Sequence, residues 1–455
     1  MDESTTHVRA SASCALAAIG NYLRHLDLLG PIRDGVRIAQ KTVKFTPFDK
    51  LTDVFLLLLT GAHRMVEINT KLRPDAALCE AFGRSECAEQ SVVQDTLDAC
   101  TKANVDQMQN ALKVIFRAHS RAYRHSYRAG FQVLDIDLSG RVCGQKAELA
   151  TKGYFAHRPH RKGRQEGRVL ASLYGETVVT ELYSGNTNTA VAFFPLVEAA
   201  ESVLGLTAEQ RARTVLRVDS GGGTVECVNA CLRRGYQVHC KDVSAARAAN
   251  LAKSVAVWYD DPASPGRQVG LVTVPAKEYE GPVVRVAVRC PKKDGTYSAA
   301  ALISTLSATD VLVLTGQSKS LKNDERTVLL AYVHFYDGRG GAIETAFRED
   351  SQSAGRRNKK RFFAQAMLLC LESLAHNVLV WAKGWLQKAG AGMDRLGLQR
   401  LIRDVLSIPC LLRLDDSGYI LNLTLNRRHP YARKLEAALR WLLAKHRGRV
   451  CLGEI

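Results

Sequence analysis

The sequence predicts an α/β protein in which a mixed central sheet is flanked by helices. Apolar residues recur at helical spacing near both ends of the chain. From residue 131 onward strand-like alternation begins, and strand and helix patterns then follow one another. A later stretch carries short β-like runs broken by Pro and Gly. These patterns divide the chain into a helical N-terminal region, a first core segment, a β-rich insertion, a second core segment and a helical C-terminal region, at 1–125, 126–248, 249–327, 328–390 and 391–455.

The N-terminal region is predicted to be helical throughout. One apolar helical face is formed by Leu16, Ile19, Leu23 and Leu26. Gly30–Pro31 ends that helix. Two short helices, 77–82 and 91–97, follow around a turn at Gly83, and Ser91 is suited to cap the second. A helix-turn-helix that reads DNA and an ordinary helical hairpin are both consistent with this pair.

The first core segment alternates between strands and helices. Strands are predicted at 131–137, 168–173, 177–182, 214–218 and 236–240, and helices at 190–204 and 223–233. This order predicts the central sheet with its flanking helices.

The insertion and the second core segment show further strand-like runs and one long helix. Strands are predicted at 254–259, 270–274, 283–290, 311–314 and 329–335. A long amphipathic helix follows at 360–387, and its polar residues Gln365, Glu372, His376 and Asn377 argue against a membrane span. In the C-terminal region one helical face is formed by Leu435, Leu439, Leu442 and Leu443.

Composition narrows the class of protein. The 455 residues are 46% hydrophobic and 24% charged, as in soluble globular proteins, and the densest apolar run, Val54–Leu59, is far too short to cross a bilayer. The N-terminus is acidic and lacks the pattern of a secretory signal. The 63 Lys and Arg against 45 Asp and Glu give a net charge of +18 and indicate a polyanionic partner, either nucleic acid or an acidic membrane surface. No CxxC pair occurs among the 12 cysteines, which indicates reduced thiols rather than a structural zinc site.

Three carboxylates stand where the predicted elements end or turn. Asp137 ends the first core strand. Asp135 lies on the same strand face and is the alternative candidate for the first acid. Asp219 stands at a strand–helix junction before three glycines, which allow a close backbone approach. Glu344 follows a double glycine at the start of a helix, and Glu349 is the alternative third acid. Such a set can converge on two divalent ions and act on a phosphodiester.

Basic residues cluster in two segments that are suited to hold a polyanion. The candidates for phosphate contacts are Arg158, Arg161, Lys162 and Arg164 in the first segment, and Arg357 and Lys360 in the second. A solvated loop is the alternative interpretation of each segment.

These residues resemble the DDE transposases of bacterial insertion sequences, in the branch with a β-rich insertion in the catalytic core. The resemblance rests on LDIDLSG at 134–140, LRVDSGGG at 216–223 and FYDGRGGAIETAFRED at 335–350, supported by GQKAE at 144–148 and YSGNTNTA at 183–190. Glu344 lies 125 positions after Asp219, which leaves room for the insertion.

The resemblance implies an RNase-H-like core in which Asp137, Asp219 and Glu344 hold two Mg²⁺ ions, or Mn²⁺. It implies that Tyr336 and Arg339 contact DNA. Four residues separate Arg339 from Glu344, where the family usually has three, and Ser351 stands where the family usually has a lysine. Arg348 and Arg357 are the candidates to replace that lysine.

The function implied is a transposase that binds the inverted repeats of its element, cleaves them with metal-activated water and transfers the 3′-OH ends to target DNA. Its partner is double-stranded DNA, it forms a dimer in the synapse, and it acts at the nucleoid in the bacterial cytoplasm without a membrane partner. The N-terminal region is the expected DNA-binding region. The alternatives are an inactive or domesticated DNA-binding relative that acts as a regulator, and a nucleotide-dependent phosphotransferase that uses the glycines 221–223.

Overall fold

The computed structural model describes residues 8–41, 44–156, 158–354, 358–388, 392–393 and 395–454, without the side chains of 352–354 and 388. In these ranges the helices are α1 (Cys14–His25), α2 (Gly30–Gly35), α3 (Pro47–Leu59), α4 (Ala76–Ala81), α5 (Gln90–Asp98), α6 (Lys102–His119), α7 (Thr189–Leu204), α8 (Ala208–Ala212), α9 (Val225–Arg233), α10 (Ala245–Ala252), α11 (Ala308–Leu314), α12 (Glu325–Gly341), α13 (Ile343–Ala354), α14 (Phe362–Lys388), α15 (Leu398–Leu401) and α16 (Ala432–Leu443).

The strands in the same ranges are β1 (Val8–Ser11), β2 (Gln132–Val142), β3 (Thr151–Lys152), β4 (Lys162–Ala171), β5 (Glu176–Ser184), β6 (Thr214–Val218), β7 (Gln237–Lys241), β8 (Tyr259–Asp260), β9 (Gln268–Leu271), β10 (Val284–Pro291), β11 (Tyr297–Ser304), β12 (Cys410–Leu414), β13 (Ile420–Asn426) and β14 (Arg449–Gly453). The fold is therefore mixed α/β, as predicted. The chain forms two compact units: unit 1 contains 1–120, 141–151 and 347–455, and unit 2 contains 121–140 and 152–346.

Unit 1 is a helical assembly around α14, which packs against α3, α5, α6 and α16. The segment Phe362–Gln387 is long and apolar enough to cross a bilayer, but 94% of its most apolar stretch is buried in the protein. That burial is typical of a core helix. Helix α3 begins with a capping box in which Thr46 and Asp49 bond each other's backbone N–H, and its apolar run Val54–Leu59 is buried.

The prediction of a wholly helical C-terminal region is wrong. Strands β12, β13 and β14 form a four-stranded sheet with β1 in the order β1-β12-β13-β14. The apolar residues of β13 alternate with partly exposed ones, and the β12–β13 turn contains Gly418 in a left-handed conformation (φ 79°). These are hairpin signals, and only α16 keeps the predicted helical face.

Unit 2 is built on the larger sheet, whose strand order is β3-β4-β2-β6-β7-β11-β10-β9-β8, with β5 paired to β4. Strands β2, β6 and β7 are parallel, and the pairs from β7 to β8 are antiparallel. Helix α12 packs over β9, β10 and β11 on one face. Helix α10 packs with Ala287 and Ala301 on the other face. Strands β8–β11 of the predicted insertion thus continue the core sheet.

Two predicted strands of unit 2 are helices, and these predictions are wrong. Residues 329–335 lie in α12 and residues 311–314 lie in α11. Valine, leucine and aromatic residues favour strands intrinsically. In α12, however, the buried Val328, Tyr332, Phe335 and Arg339 recur at helical spacing, so packing on the sheet determines the structure.

Candidate active site

Strand pairing in unit 2 brings Asp137 and Asp219 together. Strands β2 and β6 are parallel, with Asp135 opposite Arg217 in the register. Because side chains alternate along a strand, Asp137 and Asp219, each two residues further on, continue the same face of the sheet. That is the face on which α12 packs, since Val133 and Val215 join its apolar cluster.

Asp219 occupies the strand–helix junction that the sequence predicts. It caps the short 3₁₀ helix Ser220–Gly222, and its Oδ1 accepts a hydrogen bond of 3.0 Å from the Gly221 N–H. The glycines that follow serve internal packing: a Cβ on Gly223 would lie 1.8 Å from the Lys241 carbonyl oxygen, and one on Gly221 would lie 2.6 Å from Thr189. The close backbone approach at this turn therefore comes from the chain itself.

Helices α12 and α13 supply the third acid and an arginine. Glu344 lies in the first turn of α13, just after α12 ends at Gly341. The Arg339 side chain is 5% exposed, and its Nη2 lies 2.9 Å from Asp137 Oδ2. Its Nη1 lies 4.0 Å from Glu344 Oε1. One guanidinium therefore joins two of the predicted acids, which are separated by 207 residues in the sequence.

The electrostatics of Asp137 reflect all of these neighbours. The pKa of Asp137 is raised to about 6, mainly by burial and in addition by the negative charges of Asp219 and Glu344. The Arg339 charge and the Leu138 N–H oppose this rise in the pKa. Asp137 is therefore close enough to Asp219 and to Glu344 to be repelled by both.

Tyr336 lies on the same helix as Arg339 and belongs to the same site. Burial raises the pKa of Tyr336 to about 12, and the charge of Asp219 acts in the same direction. Burial lowers the pKa of Arg339, but Asp137 and other acidic neighbours raise it, with a net rise. Both residues are placed beside the acids, and their predicted contacts with DNA stay predictions.

The two rival acids lie in other environments. Asp135 is fully buried, and Arg217 binds both of its oxygens at 2.6 and 2.9 Å. Glu349 belongs to unit 1, and its Oε1 accepts a hydrogen bond from the Leu398 N–H at 2.9 Å. The Asp135 carboxylate is thus held by Arg217, although its charge also raises the pKa of Arg339.

The carboxylates of the site are suitable ligands for a divalent cation, but in this structure they are not grouped around a common point. Carboxylate oxygens are the ligands that Mg²⁺ prefers, and a bound dication would relieve their mutual repulsion. Within the described parts of the chain, however, no three His, Cys, Asp or Glu side chains are grouped so that they could hold a metal ion. The donor set fits the ion on condition that the Arg339 guanidinium leaves Asp137 Oδ2.

The residues predicted as basic contacts differ in their exposure to solvent. Arg158, Arg161, Arg348 and Lys360 are exposed, Lys162 is half-buried, and Arg164 is buried within β4. Arg357 lies outside the described residues. Sequence reasoning missed Arg217, although a charged residue inside the buried strand LRV was a signal that a buried partner must exist.

Comparisons with known proteins show a weak structural likeness to a transposase. No protein-family model matches the chain, and no curated protein matches it. A solved structure of a piggyBac transposase synaptic complex with hairpin DNA aligns with a TM-score of 0.46 and 10% sequence identity, over 95% of this chain and 82% of that chain. A TM-score this low does not establish a shared fold.

Proposed function

We propose that this protein is a metal-dependent DDE transposase with an RNase-H-like core. The observation that carries the proposal is the environment of Asp137, which pairs with Arg339 and is repelled by the charges of Asp219 and Glu344, although these two acids lie 82 and 207 positions further along the sequence. Together with the three motifs, this proximity supports two-metal phosphodiester chemistry as the function.

In this proposal the three carboxylates would hold two Mg²⁺ ions. When bound, such ions lower the pKa of water and stabilise charge on the attacking and leaving oxygens. The chain's own residues position the DNA: the exposed Arg158 and Arg161 offer phosphate contacts, and Tyr336 orients the strand beside Asp219. Cleavage of the element ends and attack by the 3′-OH on target DNA would follow, in a dimeric synapse at the bacterial nucleoid.

Arg339 has two tasks in this proposal. While the acids hold no cation, its guanidinium neutralises Asp137, which would otherwise be a buried charge beside two others. When a cation takes that place, the released guanidinium becomes free to bind a DNA phosphate. The predicted contact of Arg339 with DNA and its observed pairing with Asp137 thus belong to two successive states.

A second candidate is a DNA-binding regulator of the same fold that has lost catalysis. The pairing of Arg339 with Asp137 and the presence of Ser351 in place of the usual lysine favour it. The phosphotransferase alternative is weaker, because Gly221 and Gly223 pack against Thr189 and Lys241 rather than forming an open phosphate cradle.

The test uses a supercoiled plasmid that carries the gene with its natural flanking DNA, incubated with the purified protein and Mg²⁺ or Mn²⁺. We expect cation-dependent cuts at the element ends, which disappear in Asp219→Ala and persist in Asp416→Asn, an exposed acid in unit 1. A mobility-shift assay on the same DNA separates the candidates. Binding without cutting by the wild type favours the regulator. If the wild type neither binds nor cuts this DNA, both the transposase and the regulator are excluded.

A further inference from the structure

A buried ion pair lies on the same face of the sheet as Asp137 and Asp219, two residues before each of them along the chain. Arg217 Nε lies 2.6 Å from Asp135 Oδ1, and Arg217 Nη2 lies 2.9 Å from Asp135 Oδ2. The two side chains are 5% and 0% exposed. The Ser172 hydroxyl also donates to Asp135 Oδ2 at 2.6 Å, which fixes the carboxylate further. This bidentate geometry holds β2 and β6 in one register.

The same guanidinium reaches the helix above the sheet. Arg217 Nη1 donates a hydrogen bond to the carbonyl oxygen of Phe335 in α12. The guanidinium carbon lies 4.8 Å from the centre of the Phe335 ring. Gly338, one turn further on, leaves room for it, since a Cβ there would lie 2.8 Å from Nη1. Helix α12 thus rests on Arg217 at the turn that carries Tyr336 and Arg339.

We propose that Arg217 and Asp135 are positioning residues, a clasp that joins the three elements on which the candidate site is built. Two residues beyond Asp135 stands Asp137, and two residues beyond Arg217 stands Asp219. Arg339 follows Phe335 by four residues in α12, and its guanidinium lies beside Asp137 and Glu344. The clasp therefore sets the spacing between the carboxylates and α12. This inference rests on the proposed function, because the spacing matters only if the carboxylates bind cations and the protein cleaves DNA strands.

Arg217→Lys is the most informative variant. A lysine keeps the charge, but its single ammonium cannot make the parallel pair of bonds to Asp135 and also reach the Phe335 carbonyl. The matched control is Arg285→Lys in the same unit. Arg285 is 4% exposed and likewise bonds a carboxylate, Glu278, and a backbone carbonyl, Val274.

Two measurements test the clasp. Hydrogen–deuterium exchange should be at least tenfold faster for the amides of 335–341 in Arg217→Lys than in the wild type, and unchanged there in Arg285→Lys. In the plasmid assay the Mn²⁺ concentration for half-maximal cleavage should rise about tenfold in Arg217→Lys only, with saturating Mn²⁺ restoring most of the rate. A purely structural role would lower the melting temperature of both variants without moving the Mn²⁺ dependence.

The outcomes separate the clasp from the proposed function. Unchanged exchange over 335–341 in Arg217→Lys overturns the clasp, whatever the plasmid assay shows. Faster exchange with an unchanged Mn²⁺ dependence overturns its link to the cation site. If exchange is faster in Arg217→Lys but the wild type never cuts DNA, the proposed function is overturned. The conclusion that Arg217 holds α12 then remains. If Arg217→Lys does not fold, Gly338→Ala, which crowds Nη1, takes its place with the same expected changes.

Discussion

The ionisation of Asp137 should make the stability of the protein depend on pH in a defined window. Burial and two nearby negative charges raise the pKa of this carboxyl to about 6 from 3.8. That difference corresponds to about 3 kcal/mol. Because the folded pKa lies above the unfolded one, the ionised form is disfavoured by folding. The cost is absent below about pH 3.8, grows as the pH rises, and is complete somewhat above pH 6.

The perturbation that isolates this effect is Asp137→Asn. The free energy of unfolding of the wild type minus that of the variant cancels contributions common to both proteins, including most other titrations. We expect this difference to fall by about 3 kcal/mol between about pH 4 and pH 7 and then to level off. Urea unfolding followed by circular dichroism at pH steps across the window provides the measurement.

Asp219→Asn supplies the control, since removing its charge lowers the pKa of Asp137. In that background the fall should be smaller and should occur at lower pH. A difference that stays constant from pH 4 to pH 7, or that grows with pH, would refute the reasoning, because it would mean that the Arg339 pair outweighs burial and holds the pKa of Asp137 at or below its ordinary value.

Three further predictions concern other parts of the chain. Arg339→Ala should bind Mn²⁺ about tenfold more tightly than the wild type by calorimetry at pH 8, because the competing guanidinium is gone; weaker binding would show that the arginine supports the cation site. Arg84→Met should lower the free energy of unfolding by about 3–5 kcal/mol, since Asp53 is 0% exposed and would lose its ion pair, and an equal loss in a surface pair such as Lys102→Met would contradict this. Gly223→Ala should lower the melting temperature by several degrees or prevent folding, because its Cβ would lie 1.8 Å from a carbonyl oxygen, whereas Gly341→Ala, with open space around the added carbon, should be neutral or stabilising; equal effects would contradict the packing argument.

The positions of the acids could be predicted because they coincide with changes of pattern. Asp219 follows a short apolar strand and precedes glycines, and Glu344 follows the double glycine at the end of a helix. Glycines and short apolar runs mark the ends of elements through local chain properties, which do not depend on tertiary packing. The parallel pairing that aligns Asp137 with Asp219 could be expected only as a consequence of an α/β sheet, and the register came from the structure.

The partners of the buried arginines could not be predicted. The pairing of Arg339 with Asp137 depends on where α12 settles on the sheet, and the sequence pattern of 329–335 indicated a strand. Local propensity and tertiary packing disagree in that segment, and packing prevails. Likewise β12 and β13 could not be predicted from the leucine spacing of the C-terminal region, because that spacing indicates only the helical face of α16.

The continuity of β11 with β7 bears on any attempt to shorten the protein by removing the predicted insertion. Strand β11 hydrogen-bonds to β7 at three register positions, and α12 packs over β9, β10 and β11. Excising 249–327 would leave β7 as a bare edge and strip α12 of its apolar support. A shortened chain of this kind would expose unpaired N–H and C=O groups to which other chains can hydrogen-bond, so it should aggregate.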